Sequence, residues 1–188
     1  GWPLFVNALL RQRIHILITG SNARLLSSEL ASHLTGRHHK IELFPFSFKD
    51  WCIMKELDYT RLTTKNRGLL SKAYEEYFHQ GGFPELISGE ENPKEYIGTL
   101  IDNIISQDIQ KRYKIRNMDA LKRLAHHVLN ETPAIIVKDA LQDIMGIKSE
   151  RTLGNYLMYL NQTYLVSTIN KYSSKSRERK KKKKVYAI

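Results

Sequence analysis

Residues 14–22 read Ile-His-Ile-Leu-Ile-Thr-Gly-Ser-Asn, an almost wholly apolar run that ends in a polar tip. Short apolar runs of this kind are typical of strands that are buried on both faces, as in parallel α/β sheets. The pattern predicts a strand over 14–19. Because ligands of such sheets bind beyond the carboxyl ends of the strands, the tip Ser21-Asn22 is a candidate functional site. The sequence has no second strand of this kind, so it predicts the C-terminal part of an α/β domain.

The residues around this strand predict two helices and a further strand. Apolar side chains recur at helical spacing over 3–12 and again over 23–34, where Asn22 is placed as the N-cap. Residues 39–44 alternate between polar and apolar and predict a strand that Pro45 ends. An unpaired edge of the strand over 14–19 would favour self-association, because free strand edges recruit other strands.

The middle of the chain carries local signals for helices. Ser47-x-x-Asp50 predicts a capping box that opens a short helix, and residues 64–80 predict another helix. Asn92-Pro93 predicts the start of a long helix, since an N-cap residue precedes proline at the first helical position. Asn117 is placed to cap a further helix through Leu129.

The last third of the sequence has a different order of elements. It predicts a helix over 137–145, a turn at Gly146, a second helix over 149–162, and strands over 164–172 and 183–188. Helix, turn, helix and hairpin is the order of a winged helix-turn-helix. In this interpretation the basic residues between the two strands form the tip of the wing.

The positive charge of the chain is local. The net charge is +11, and the stretch 175–184 alone carries +7. A block of like charge is most often a solvated loop, and less often a contact to the phosphate backbone of nucleic acid. The wing interpretation adds DNA as a candidate partner, with the consecutive lysines as candidate contacts: Lys180, Lys181, Lys182, Lys183 and Lys184.

Composition excludes several classes of protein. Cys52 is the single cysteine, which excludes a disulfide framework and favours a reducing compartment. No signal peptide and no long apolar run is present, so the sequence predicts a cytoplasmic protein that does not span a membrane. No cysteine or carboxylate accompanies the histidine pairs at the spacing of metal ligands, so no metal site is predicted.

Two stretches carry a family resemblance. The block from Leu17-Ile18-Thr19-Gly20-Ser21-Asn22 to Leu34-Thr35-Gly36-Arg37, and the block Glu42-Leu43-Phe44-Pro45-Phe46-Ser47-Phe48-Lys49-Asp50, resemble prokaryotic AAA-type P-loop ATPases that carry a C-terminal domain of unknown function. Gly81-Gly82-Phe83-Pro84-Glu85 and Asp108-Ile109-Gln110-Lys111-Arg112-Tyr113 follow in the expected order, so the resemblance covers essentially the whole chain.

The chain departs from this family in two respects, the absence of the Walker motifs and the absence of the C-terminal nuclease-like domain. Family members begin with a Walker A loop and a Walker B strand, and this sequence contains no G-x-x-x-x-G-K-[ST]. Gly1-Trp2-Pro3-Leu4-Phe5 is similar to the segment after Walker B, and the family continues into a nuclease-like domain. We therefore expect a fragment: the intact protein would bind ATP and Mg²⁺, and this chain by itself would bind neither.

The resemblance also implies a fold class and domain boundaries. It implies an α/β remnant of the ATPase core over 1–45, a mostly α lid over 46–132 and the winged helix over 133–188, in a mainly α chain. The implied function is coupling of ATP binding and hydrolysis to the winged helix. The alternative is a non-enzymatic winged-helix protein that binds DNA or another protein.

Individual site residues follow from the resemblance. Asn22 matches the sensor-1 position, which orients the attacking water, and it also suits a plain helix cap. Arg37 is a candidate arginine finger for a neighbouring subunit, or an ordinary exposed arginine. Gly82 and Pro84 resemble a lid motif that contacts the nucleotide, or form an ordinary turn. Three further candidates come from helical spacing and not from the resemblance. On one face of the second helix of the winged helix, the candidates for nucleic-acid contact, or for a solvated or docking face, are Arg151, Asn155 and Tyr159.

Overall fold

The structure is a computed structural model that describes residues 2–21, 39–61, 63–89, 91–170, 172–174 and 183–187. Within these residues the chain is mainly helical, with one small three-stranded antiparallel sheet. It divides into two compact units, Glu42–Asp102 and a second unit made of Gly1–Ile41 and Asn103–Ile188. The helix predicted over 23–34 lies outside the described residues.

The N-terminal segment begins with the predicted helix, α1 (Trp2–Arg11). The residues that follow lie against it: Ile16 and Ile18 pack with Leu10 around the buried Val6. The opposite side of this segment is open, since Leu17 is 87% exposed. One apolar side of the run at 14–19 is therefore covered and the other is not.

The strands predicted over 14–19 and 39–44 were wrong. Within the described residues neither stretch pairs into a sheet. A strand needs the backbone of a neighbouring strand, and an apolar run does not supply one. Residues 39–44 also lack a buried face in the described part of the chain, because Ile41 is 73% and Leu43 is 90% exposed.

The unit Glu42–Asp102 contains α2 (Phe48–Met54), α3 (Thr64–Gln80), α4 (Pro84–Ile87) and most of α5 (Pro93–Asn103). The predicted capping box is confirmed, since the Ser47 hydroxyl accepts from the Asp50 N–H and the Asp50 carboxylate accepts from the Ser47 N–H. The predicted start at Asn92-Pro93 is confirmed by the Asn92 side chain, which accepts from the Lys94 and Glu95 backbone. Local sequence signals therefore set the helix starts of this unit.

The helix that begins at Pro93 changes character towards its end. Beyond α5 the backbone is π-helical over Ile104–Gln110, and α6 (Lys111–Tyr113) follows. Ile105 and Ile109 of the π-helical segment are fully buried. Lys114 then ends the helical stretch in the left-handed conformation, with φ 45° and ψ 54°.

The C-terminal elements are α7 (Met118–Asn130), β1 (Ala134–Ile135), α8 (Lys138–Met145), α9 (Glu150–Gln162), β2 (Val166–Asn170) and β3 (Lys183–Ala187). The predicted helices and the predicted hairpin are confirmed, and β1 adds a strand that was not predicted. β3 pairs antiparallel with both other strands, which gives the order β1-β3-β2. The core between helices and sheet is made of fully buried side chains: Leu121, Leu124, Val128, Met145, Leu153, Leu160, Val166 and Val185.

Candidate functional site

The polar tip after the apolar run is held by a distant residue. Ser21 is exposed, and its hydroxyl donates a hydrogen bond of 2.8 Å to the Asp108 carboxylate, 87 residues along the chain. Asp108 belongs to the π-helical segment. Asn22 and Arg37, the predicted sensor and arginine finger, lie outside the described residues. The structure therefore defines the place of Ser21, which precedes Asn22 in the sequence, and shows that the Asp108 carboxylate binds the Ser21 hydroxyl.

Gly82 is packed against backbone. It is buried, its carbonyl oxygen accepts a 2.7 Å hydrogen bond from the Phe46 N–H, and an added Cβ would lie 2.9 Å from the Phe46 nitrogen. The Tyr77 hydroxyl donates to the Phe46 carbonyl oxygen at 2.9 Å. Pro84 is exposed at the start of α4. Packing against Phe46 by itself accounts for the glycine at position 82.

The three candidate residues of α9 differ in their surroundings. Arg151 is exposed in the first turn, and Asn155 and Tyr159 are half-buried. The Tyr159 ring stacks on Tyr113, with ring centroids 3.9 Å apart and planes 13° apart. Tyr159 is therefore engaged within the protein, and Arg151 is the freest of the three side chains.

Tyr113 makes a second contact to the same helix. Its hydroxyl donates to Oε1 of Gln162 at 2.5 Å. Nearby, burial raises the pKa of the Tyr156 hydroxyl, which stays protonated and donates to the Asn117 carbonyl oxygen at 3.1 Å. These tyrosines fix α9 to the chain on either side of Lys114. No role of Tyr113 or Asp108 was predictable from the sequence, because both residues act through contacts to residues far away along the chain.

The turn between α8 and α9 is built from defined contacts. Gly146 adopts the left-handed conformation, with φ 67°. The Arg123 guanidinium donates to the carbonyl oxygens of Ile144 at 3.1 Å and Met145 at 2.7 Å. Lys138 and Glu150 form an ion pair of 2.5 Å across the starts of the two helices. The Arg123 hydrogen bonds thus join α7 to the end of α8, and the exposed Lys138–Glu150 ion pair joins the starts of α8 and α9.

Charges of both signs lie on the surface near α9. Lys183 and Lys184 are exposed on β3, while Lys180, Lys181 and Lys182 lie outside the described residues. Asp139 and Asp143 of α8 line an open depression together with Lys148. The described surface near α9 therefore carries exposed cations on β3 and at Lys148 and Arg151, and exposed carboxylates on α8.

The sequence contains no G-x-x-x-x-G-K-[ST] motif of a phosphate-binding P-loop. The carboxylate beside the Ser21 tip, that of Asp108, accepts a hydrogen bond from the Ser21 hydroxyl. Among the residues described, no three His, Cys, Asp or Glu side chains are grouped to hold a metal ion. No described helix is long and apolar enough to cross a membrane.

Comparison with known proteins relates both parts of the chain to families. A family described as an AAA domain matches residues 1–52, which identifies an AAA-type ATPase-like region. A second family, described as a domain of unknown function (DUF8612), matches residues 71–188, more than half of the chain. The protein belongs to this DUF8612 family.

Two relatives have been compared over nearly the whole chain. An uncharacterized protein of Methanocaldococcus jannaschii is 33% identical over 184 residues, which cover 94% of this chain and 42% of the relative. An uncharacterized protein of Haemophilus influenzae is 32% identical over 178 residues, which cover 92% of this chain and 43% of the relative. The chain thus spans less than half the length of these curated relatives. No solved structure matches the chain significantly.

Proposed function

We propose that this chain is part of an AAA-type ATPase. Residues 1–45 would complete the nucleotide-binding core, 46–132 would form its helical lid, and 133–188 a winged helix that responds to the nucleotide. The observation that carries the proposal is the AAA match over residues 1–52, which includes the Thr-Gly-Ser-Asn tip. The length of the two relatives supports a longer parent protein. By the family resemblance, its additional residues would include a P-loop and a nuclease-like domain.

The packing of the N-terminal segment is consistent with this proposal. Ile16 and Ile18 lie against α1, whereas Leu17 is 87% exposed. Apolar side chains that point away from their own helix suit a segment whose second side is covered by other parts of the ATPase core. Without such cover the same segment would favour self-association, which sedimentation of this chain with and without a Leu17→Ser substitution would detect.

In the proposed ATPase, phosphoryl transfer depends on positioning and on electrostatic stabilisation. Asn22 would orient the attacking water, and Arg37 would stabilise the transition-state charge in a neighbouring subunit. Gly82 and Pro84 would belong to the lid that faces the nucleotide. The phosphate cradle and the Mg²⁺ ligands would come from the rest of the parent protein, and a cytoplasmic location would supply the ATP.

The experiment is steady-state ATP hydrolysis by the longer gene product. Asn22→Ala should lower kcat by about a hundredfold with little change in KM, as expected for loss of a group that positions the water. Asn130→Ala, at the exposed C-terminal end of α7, is the matched control and should leave kcat unchanged. An unchanged kcat in Asn22→Ala would remove the sensor role, and no hydrolysis by the longer protein would refute the ATPase proposal.

A second candidate function is nucleic-acid binding by a winged helix. Its support is the element order α7-β1-α8-α9-β2-β3 with the sheet order β1-β3-β2, which matches a helix-turn-helix followed by a two-stranded wing. Lys183 and Lys184 are exposed on β3 and continue the run Lys180, Lys181 and Lys182. Arg151 and Asn155 would add contacts from α9, and Tyr159 would do so only by leaving its stack.

Salt-dependent binding to duplex DNA, measured by fluorescence anisotropy, tests this function. The slope of log K against log salt is negative, and each phosphate contact that is lost reduces its magnitude by about 0.9. Replacing Lys183 and Lys184 with glutamine should reduce the magnitude of the slope by up to about 2. The control replacement of Lys65 and Lys72 on α3 should not change the slope. Equal effects of the two variants, or no binding, would favour a winged helix that contacts a protein.

A further inference from the structure

Two sets of contacts join the Ser21 tip to α9 through one short helical stretch. At its beginning, the Ser21 hydroxyl binds the Asp108 carboxylate at 2.8 Å. At its end, Tyr113 stacks on Tyr159 at 3.9 Å and binds Gln162 through its hydroxyl. Both sets lie within the same compact unit. The stretch 108–113 therefore touches the candidate nucleotide site at one end and the candidate recognition helix at the other.

The backbone between these contacts has an unusual form. Asp108 lies in the π-helical segment Ile104–Gln110, and Tyr113 lies in the α-helical turn that follows. π-helical segments are rare and occur frequently at functional sites. Conversion of such a segment to α-helix would rotate Tyr113 about the helix axis relative to Asp108. Such a conversion would give the segment two discrete arrangements, which is the physical requirement for carrying a signal between sites.

The contacts that hold the stretch 108–113 determine how a displacement at Ser21 would be transmitted. Ile105 and Ile109 are fully buried, so this side of the π-helical segment is packed into the core. Ser21 is exposed, so its bond to Asp108 can be broken without opening the core. Tyr113 is held flat against α9 by the stack and by Gln162. A change at the tip would therefore reach α9 through the helical backbone.

We propose that the Ser21–Asp108 hydrogen bond and the Tyr113–Tyr159 stack form a coupling device, with the π-helical segment as its two-state element, through which the state of the Ser21 tip sets the position of α9. Asp108 acts as a positioning residue for the tip. The nature of the signal rests on the proposed ATPase function, because the tip lies directly before Asn22. The mechanical coupling can be measured without any nucleotide.

The test is amide hydrogen exchange of the full 188-residue chain, with circular dichroism to establish that each variant is folded. Ser21→Ala should speed exchange about fivefold in the π-helical segment and in the last turn of α9, the change expected for one lost hydrogen bond. Ser21→Thr keeps the hydroxyl and should restore the wild-type rates. Ser106→Ala is the matched control, because that hydroxyl donates to the Asn103 carbonyl oxygen within the same helical stretch, and it should leave α9 unchanged.

A double-mutant cycle tests whether the tyrosine stack transmits the effect. In Tyr113→Leu, the added Ser21→Ala substitution should still speed exchange in the π-helical segment but should no longer change α9. If Tyr113→Leu does not fold, Tyr113→Phe keeps the ring, removes the bond to Gln162 and should weaken the transmission. The proposal is overturned if Ser21→Ala leaves α9 unchanged, if Ser106→Ala acts equally, or if the two substitutions act additively on α9.

A second arm separates this proposal from the ATPase function. In the longer gene product, Mg·ATP should change exchange in α9 of the wild type, and Ser21→Ala should abolish that change while Mg·ATP still binds. Failure of Mg·ATP to bind refutes the ATPase function and leaves the result of the mutant cycle standing. Binding with an undiminished α9 response in Ser21→Ala refutes the coupling alone.

Discussion

Replacement of Gly82 by alanine should destabilise the unit Glu42–Asp102 strongly. The φ angle of Gly82 is outside the left-handed region, so an alanine would suffer no backbone strain there. Its Cβ, however, would lie well inside 3.0 Å of the Phe46 carbonyl oxygen and at 2.9 Å from the Phe46 nitrogen, distances that real Cβ atoms essentially never show. Backbone must therefore move, and no flexible side chain can yield in its place.

The magnitude follows from what that movement breaks. The Phe46 N–H donates to the Gly82 carbonyl oxygen at 2.7 Å, and the Phe46 carbonyl oxygen accepts from the Tyr77 hydroxyl at 2.9 Å. Loss of one such hydrogen bond costs about 1 kcal/mol, and overpacking against a fixed backbone costs about 1–3 kcal/mol more. We expect the free energy of unfolding to fall by about 3 kcal/mol.

Urea unfolding followed by far-UV circular dichroism measures this change, with Gly68→Ala as the matched control. Gly68 lies inside α3, and an added Cβ there meets no heavy atom within 4 Å. Alanine at position 68 should therefore raise the free energy of unfolding by up to about 1 kcal/mol through helix propensity. A Gly82→Ala protein within about 0.5 kcal/mol of the wild type, the range of neutral surface changes, would refute the reasoning.

Three further substitutions test other parts of the structure by the same unfolding measurement. Lys114→Gly should stabilise the protein by about 0.5–1 kcal/mol, because lysine sits at φ 45° where glycine has no steric cost; a loss of stability would contradict the left-handed cap. Met145→Ala should cost about 2–5 kcal/mol, since Met145 is fully buried, whereas the same change at the 40% exposed Met158 should cost far less. Ser47→Ala should cost about 1 kcal/mol through loss of the N-cap hydrogen bond. It should also change the response to acid, because the Ser47 hydrogen bonds hold the pKa of Asp50 below its ordinary value. The stabilisation from the ionised Asp50 carboxylate is present above the ordinary pKa and is lost as the pH falls through the lowered one. An acid response of Ser47→Ala identical to that of the wild type would show that the capping box does not lower this pKa.

Helix starts were predicted well because their signals are local. The capping box of Ser47 and Asp50, the Asn92-Pro93 start and the Asn117 cap each depend on residues within one helical turn. The order of helices and hairpin after residue 117 followed from the same kind of signal. Among these elements only β1 was not predicted, because a strand of two residues shows no periodic pattern in the sequence.

Features that depend on distant parts of the chain were predicted poorly. The run at 14–19 has the composition of a buried strand, but a strand forms only beside another strand. The Ser21–Asp108 hydrogen bond joins residues 87 positions apart, and nothing near either residue predicts it. The Tyr113–Tyr159 stack is of the same kind. The sequence therefore predicted the Ser21-Asn22 tip as a candidate site, but it did not predict that Asp108 binds Ser21.

Titration calorimetry with Mg·ATP is the most direct test of the central claim, that this chain is part of an AAA-type ATPase whose phosphate cradle lies elsewhere in the parent protein. It should be carried out on the 188-residue chain and on the proposed longer parent protein, which we expect to contain the P-loop. The account predicts binding by the longer protein and no binding by this chain. Binding of Mg·ATP by this chain alone, or no binding by the longer protein, would contradict it.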